Sequence, residues 1–124
     1  MTVDGGSALC RHVGIYLDND EVIEFTNELR KTTLAAFIEG AHPLYRVHYK
    51  SPWQPDELGQ IMGRAMGAWK DKEIVGSYDV ISNNGEHFVT YCTFGKRLSY
   101  EGIKPKASVN EAERDDMCVC CNIM

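Results

Sequence analysis

No stretch of this 124-residue chain holds the roughly 18–20 consecutive apolar residues that a membrane-spanning helix needs. Its N-terminus also lacks the basic-then-apolar layout of a secretory signal, so the chain is expected to begin in the cytosol. Positive charge is scarce, with 13 Lys and Arg against 18 Asp and Glu. The resulting net charge of −5 excludes the basic face of a nucleic-acid binder. There is no internal repeat, and the length leaves room for one hydrophobic core only. The five cysteines do not make a disulfide framework, because Cys118, Cys120 and Cys121 crowd the last seven residues. Cys10 and Cys92 remain as separate thiols, as a reducing compartment allows. Cys118-Val119-Cys120-Cys121 finds no second ligand pair at zinc spacing, so neither a metal nor a cofactor is expected.

What the chain does hold is a short series of periodic segments. His12–Leu17 is β-branched and aromatic, Asp18-Asn19-Asp20 signals a turn, and Glu21–Phe25 alternates again, which predicts a β-hairpin. Thr33–Glu39 predicts a turn or two of helix closed by Gly40, and Tyr45–Tyr49 a third strand. After the breaker Ser51-Pro52-Trp53-Gln54-Pro55, residues 56–72 carry a helical stripe of Leu58, Ile61, Met62, Ala65, Met66 and Trp69. Gly59, Gly63 and Gly67 interrupt this stripe at four-residue spacing and suggest a close contact with the sheet. Tyr78–Ile81 reads as extended. Asn83 or Asn84 then caps a helix over Gly85–Phe94, with Glu86 in its first turn and Gly95 as its stop. The expected organisation is a flexible lead-in over 1–10, a domain over 11–101 and a disordered tail over 102–124.

Two of these segments carry a resemblance. Arg11-His12-Val13-Gly14-Ile15-Tyr16-Leu17 and Asn83-Asn84-Gly85-Glu86-His87-Phe88-Val89-Thr90-Tyr91-Cys92 resemble the histidine and cysteine motifs of the lecithin:retinol acyltransferase family, which includes small phospholipase A/acyltransferases. The resemblance implies an α+β fold, a small antiparallel sheet packed on helices in a permuted papain-like architecture. It also implies an activity in which an acyl chain leaves a phospholipid, is held as a thioester and passes to retinol, an amine or water. A helix-start cysteine suits this chemistry, because the helix dipole and a neighbouring imidazole favour its thiolate. A third polar group then fixes the imidazole.

Carried onto this chain, His12 takes the base position and Glu24, twelve residues on, the orienting position usually held by histidine. Gly85 takes the nucleophile position, where the thiol is lost. Cys92 lies two turns along the same helix, about 10 Å away, and does not replace it. His87 is read as holding the helix to the sheet and Glu86 as serving the helix start, while His42 and His48 have no cluster spacing. The family's usual extra strand before the histidine strand is not expected in the first eleven residues.

Cys121-Asn122-Ile123-Met124 has the form of a prenylation signal, with Cys118 and Cys120 where palmitate is often added. Glu111, Glu113, Asp115 and Asp116 make the preceding segment acidic, so the second membrane signal would be palmitate rather than a basic patch. The expected protein is a catalytically impaired homologue on the cytosolic face of a membrane that binds a phospholipid, an acyl chain or a protein partner. Two other readings stand beside it. One is an active phospholipase/acyltransferase using Cys10 or a water activated by His12. The other is a membrane-targeted interaction module without a lipid pocket.

Overall fold

The computed structural model describes residues 2–4, 10–17, 19–38, 44–49, 51–103, 106–109 and 118–123. Seven strands are described: β1 (Thr2–Asp4), β2 (Cys10–Leu17), β3 (Glu21–Phe25), β4 (Leu29–Thr33), β5 (Leu44–His48), β6 (Lys106–Val109) and β7 (Cys118–Ile123). They join four helices, α1 (Leu34–Ile38), α2 (Leu58–Lys70), α3 (Gly85–Phe94) and α4 (Tyr100–Ile103). The strands pair antiparallel in the order β1-β6-β5-β7-β2-β3-β4. The expected α+β class and antiparallel sheet are therefore what the chain forms.

The hairpin is where the sequence places it. Gly14 opposes Glu24 and Leu17 opposes Glu21, and Asp20 makes the turn in the left-handed region at φ 56°. Asp tolerates that region better than most residues, and its carboxylate accepts the Tyr16 hydroxyl at 2.9 Å. Val13–Leu17 of β2 is buried at every position because this part of the strand is covered on both faces. On one face Val13, Ile15, Leu17, Ile23, Phe25, Leu29 and Val47 join Ile61, Ala65 and Ala68 of α2 and Phe88, Val89 and Cys92 of α3 in one core. Each fully buried Ile or Phe of this group contributes on the order of 1.5–3 kcal/mol. On the other face Tyr16, Val22 and Glu24 are buried and Phe37 of α1 packs close to Gly14.

Several expectations change. Thr2–Asp4 and Cys10 are strand residues, so the stretch expected as a lead-in reaches the sheet at both ends. Tyr100–Ile103, Lys106–Val109 and Cys118–Ile123 are ordered elements within or beside the expected tail. The polar composition of 102–117 hides them, whereas Cys-Val-Cys-Cys-Asn-Ile has the β-forming character to fill the gap between β2 and β5. The acidic residues 111–116 and His42 lie outside the described residues. Tyr78–Ile81 is not a strand; it enters a turn closed by a single bridge between Asp79 and Asn83. The glycine row of α2 makes no close contact, since a β-carbon at Gly59, Gly63 or Gly67 would meet nothing within 4 Å.

Gly14 is the opposite case. A β-carbon there would lie 2.6 Å from Val22 Cγ1 and 3.0 Å from the Ile23 carbonyl oxygen. Gly14→Ala should therefore destabilise the protein by about 1–3 kcal/mol through overpacking. Gly63→Ala, in open space in mid-helix, should stabilise it by about 0.5–1 kcal/mol. Urea denaturation of the two variants reads both signs.

Candidate functional site

The loop before α3 is built by short polar side chains that bond to backbone. Asp79 accepts the N–H groups of Ile81 and Ser82 at 2.9 Å each. The Ser82 and then the Ile81 backbone hold its carboxyl below the usual carboxylate range. Asn83 donates through Nδ2 to the carbonyls of Val75 at 2.6 Å and Ser77 at 2.8 Å. Asn84 donates likewise to Val80 at 2.8 Å. With its backbone extended at φ −120°, Asn84 caps α3: its Oδ1 accepts from the N–H of Glu86 at 3.0 Å and of His87 at 3.3 Å.

His87 closes the cap. Its Nδ1 lies 3.3 Å from the Asn84 nitrogen and 2.9 Å from Asn84 Oδ1, accepting from the first in one tautomer and donating to the second in the other. The ring is buried and serves the start of its own helix, which sharpens the structural role expected for it. Glu86 reaches further than the first turn, accepting the Tyr100 backbone N–H at 3.1 Å and so tying α4 to the start of α3. At the other end, Gly95 stops the helix at φ 79°, and Arg64 Nη1 bridges the Cys92 carbonyl at 3.0 Å to the Asp56 carboxylate at 2.7 Å.

Gly85 is the first residue of α3 and rests on the ends of the hairpin strands. A β-carbon there would stand 3.0 Å from the Phe25 carbonyl oxygen and 3.7 Å from Val13 Cγ1. The structure thus brings the expected nucleophile position beside Val13, the neighbour of His12 in β2. Glu24, 4% exposed, is placed differently. It alternates with Phe25 and so belongs to the sheet face away from α3, together with its partner Gly14. Cys92 is fully buried in the α3 core, as its distance along the helix implies. Cys10 begins β2 opposite Ile123. Cys120 stands between Val13 and Tyr45, and Cys121 between His12 and Leu44.

The position of Cys121 in the sheet is the feature sequence reasoning missed; its only signal was the apolar, β-forming character of residues 118–123. An open cleft of about 390 Å³ lies beside the hairpin, lined by apolar residues such as Phe25, Leu29 and Val75 and by polar ones such as Asn27, Glu28 and Lys72. Among the described residues no group of three or more His, Cys, Asp or Glu could hold a metal ion.

A strand histidine position, a hairpin and a capped helix whose first residue abuts that hairpin lie together in this α+β domain. The chain belongs to the lecithin retinol acyltransferase family, whose model matches residues 2–98. The match begins at β1, so the strand not expected before the histidine motif falls within the family region. No curated protein and no solved structure gives a significant match.

The α3 cap carries the geometry of this site. Asn84→Ala should cost about 1–2 kcal/mol of stability, and Asn84→Asp should recover most of it. Thermal and denaturant unfolding of both variants checks the pair.

Proposed function

We propose that this chain is a lipid-binding member of its family in which the helix-start acyl-transfer site is impaired. The observation that carries the reading is Gly85, where the helix is capped and seated but offers no nucleophile. The substrate class follows from the family, whose members act on lipid esters. The cleft beside Phe25 is compatible with it, since its lining mixes Phe25, Leu29, Val75 and Tyr78 with Asn27, Glu28, Lys72 and Ser77.

A second feature favours a lipid surface. Val80 and Ile81 are 69% and 82% exposed at the tip of the turn just before α3. Asp79 and Asn84 hold that turn through its backbone, so the two side chains project from a fixed support rather than from a loose loop. An exposed aliphatic pair close to Gly85 is suited to enter a bilayer interface. Lipid on Cys121, with Cys118 and Cys120 as acylation positions, completes the proposed attachment to the cytosolic face. That modification requires β7 to leave its place between β2 and β5, because the enzyme adding the lipid must reach the Cys121 thiol.

Gly85→Cys, compared with Gly85→Ala as a control for fit beside the Phe25 carbonyl, should raise hydrolysis of short-chain phosphatidylcholine about 100-fold or more. An acyl adduct at position 85 should be visible by mass spectrometry. Hydrolysis by the unaltered chain at the rate of the Gly85→Cys variant would overturn the impaired reading. Paired Val80→Asp and Ile81→Asp changes should lower cosedimentation with phosphatidylcholine vesicles about tenfold while leaving the unfolding midpoint nearly unchanged. Unchanged cosedimentation would remove this loop from the membrane contact.

A further inference from the structure

The turn that carries Val80 and Ile81 is tied to the segment before it. Asn83 donates to the carbonyls of Val75 and Ser77, and just ahead of these the 3₁₀ turn Lys72–Ile74 leaves Ile74 39% exposed. Ile74, Val80 and Ile81 are thus carried by two stretches of backbone bonded to one another. Single exposed aliphatic residues are ordinary, whereas three on one support make a candidate contact surface.

Cations stand next to this support. Arg97 donates through Nη2 to the Ile74 carbonyl, and its guanidinium lies 5.7 Å from the centre of the Tyr91 ring. Lys72 Nζ lies 3.9 Å from the centre of the Trp69 ring, and Lys31 of β4 brings its Nζ to 5.6 Å from the same ring. Lys72 also lines the cleft together with Tyr78, so the cleft connects the Trp69 cluster to the turn. All three cations are exposed, and among the described residues none of them is paired with a carboxylate. Aromatic faces and carbonyl oxygens hold their charge without neutralising it. The carboxylates nearby are held differently. Asp71 accepts the Glu73 N–H and Asp79 those of Ile81 and Ser82, so both are turned toward backbone donors, while Glu28 and Glu73 are exposed. Trp69, Tyr78 and Tyr91 are half-buried. Aliphatic tips, half-buried aromatic rings and long cationic side chains together suit the boundary between lipid headgroups and acyl chains. Arg30 supplies an internal contrast: it is adjacent to Lys31, opposes Glu24 and belongs by alternation to the other face of the sheet.

We propose that this surface docks on anionic bilayers, with Ile74, Val80 and Ile81 entering the interface and Lys31, Lys72 and Arg97 meeting negatively charged headgroups. The proposal rests on the lipid-surface reading above and deepens it. Aliphatic insertion gives contact with any bilayer, and the three unpaired cations select a charged one. The chain's net charge of −5 makes the contact directional, because an anionic surface repels the acidic remainder and lets the cationic side lead.

The full chain, produced without prenyltransferases, is cosedimented with vesicles of phosphatidylcholine alone and of phosphatidylcholine mixed with phosphatidylserine. Phosphatidylserine should raise the partition coefficient about 30-fold. Salt at about 1 M, where the Debye length is about 3 Å, should remove that gain. Lys31→Gln and Arg97→Gln should each narrow the gap between the two vesicle types about fivefold. Arg97→Lys, which keeps the charge, should keep the gap, and so should Arg30→Gln on the other face of the sheet. Equal binding of the unaltered chain to both vesicle types, or the same narrowing by Arg30→Gln as by Lys31→Gln, would overturn the proposal and leave the lipid-surface reading standing. Absence of binding to either vesicle would overturn both.

Discussion

The seating of the α3 N-terminus on the ends of β2 and β3 organises the rest of the molecule. The helix start sits so close that a β-carbon at position 85 would stand 3.0 Å from the Phe25 carbonyl oxygen. Its free N–H groups are met by Asn84, its next turn by His87, and the turn feeding it by Asp79 and Asn83. Phe25 meets Phe88 and Tyr78 edge-on, at ring separations of 6.5 and 5.2 Å, so the hairpin, the loop and the helix share one aromatic contact. Glu86 extends the same arrangement to α4, where Tyr100 is buried against Tyr49 through paired hydroxyls 2.9 Å apart.

The local parts of this arrangement were legible in the sequence. The limits of α3 follow from Asn84 and Gly95, the hairpin from the Asp18–Asp20 turn, and α2 from its apolar stripe. Each depends on residues near each other in the chain. The family resemblance was legible for a related reason, since its two motifs are short and contiguous. β4 escaped notice because Leu-Arg-Lys-Thr-Thr has one buried apolar residue and earns its place by pairing with β3. β1, β6 and β7 escaped because their strand character comes from partners almost the whole chain away. Gly59, Gly63 and Gly67 show the reverse error, in which regular spacing suggested packing that the helix does not make.

The candidate site was legible as a set of positions but not as an arrangement. Sequence spacing relates His12, Glu24 and Gly85 through the family motif. Alternation along β3 then separates Glu24 from the face that receives α3, a distinction that spacing alone does not express. The same alternation separates Cys120 from Cys121, adjacent in sequence and assigned to opposite faces of the sheet. Two cysteines that look redundant in a lipidation signal therefore take different register partners, Val13 and His12, across the sheet.

The placement of β7 between β2 and β5 also governs when the sheet can be completed. On one side β2, β3 and β4 form from neighbouring segments early in synthesis. On the other, β5 can pair with β6 once residue 109 has left the ribosome. The two halves stay unjoined, with β2 and β5 presenting open edges, until residues 118–123 emerge. A ribosome stalled anywhere in the preceding segment would hold a nascent chain with two unpaired edges, a natural client for a chaperone that binds extended strands.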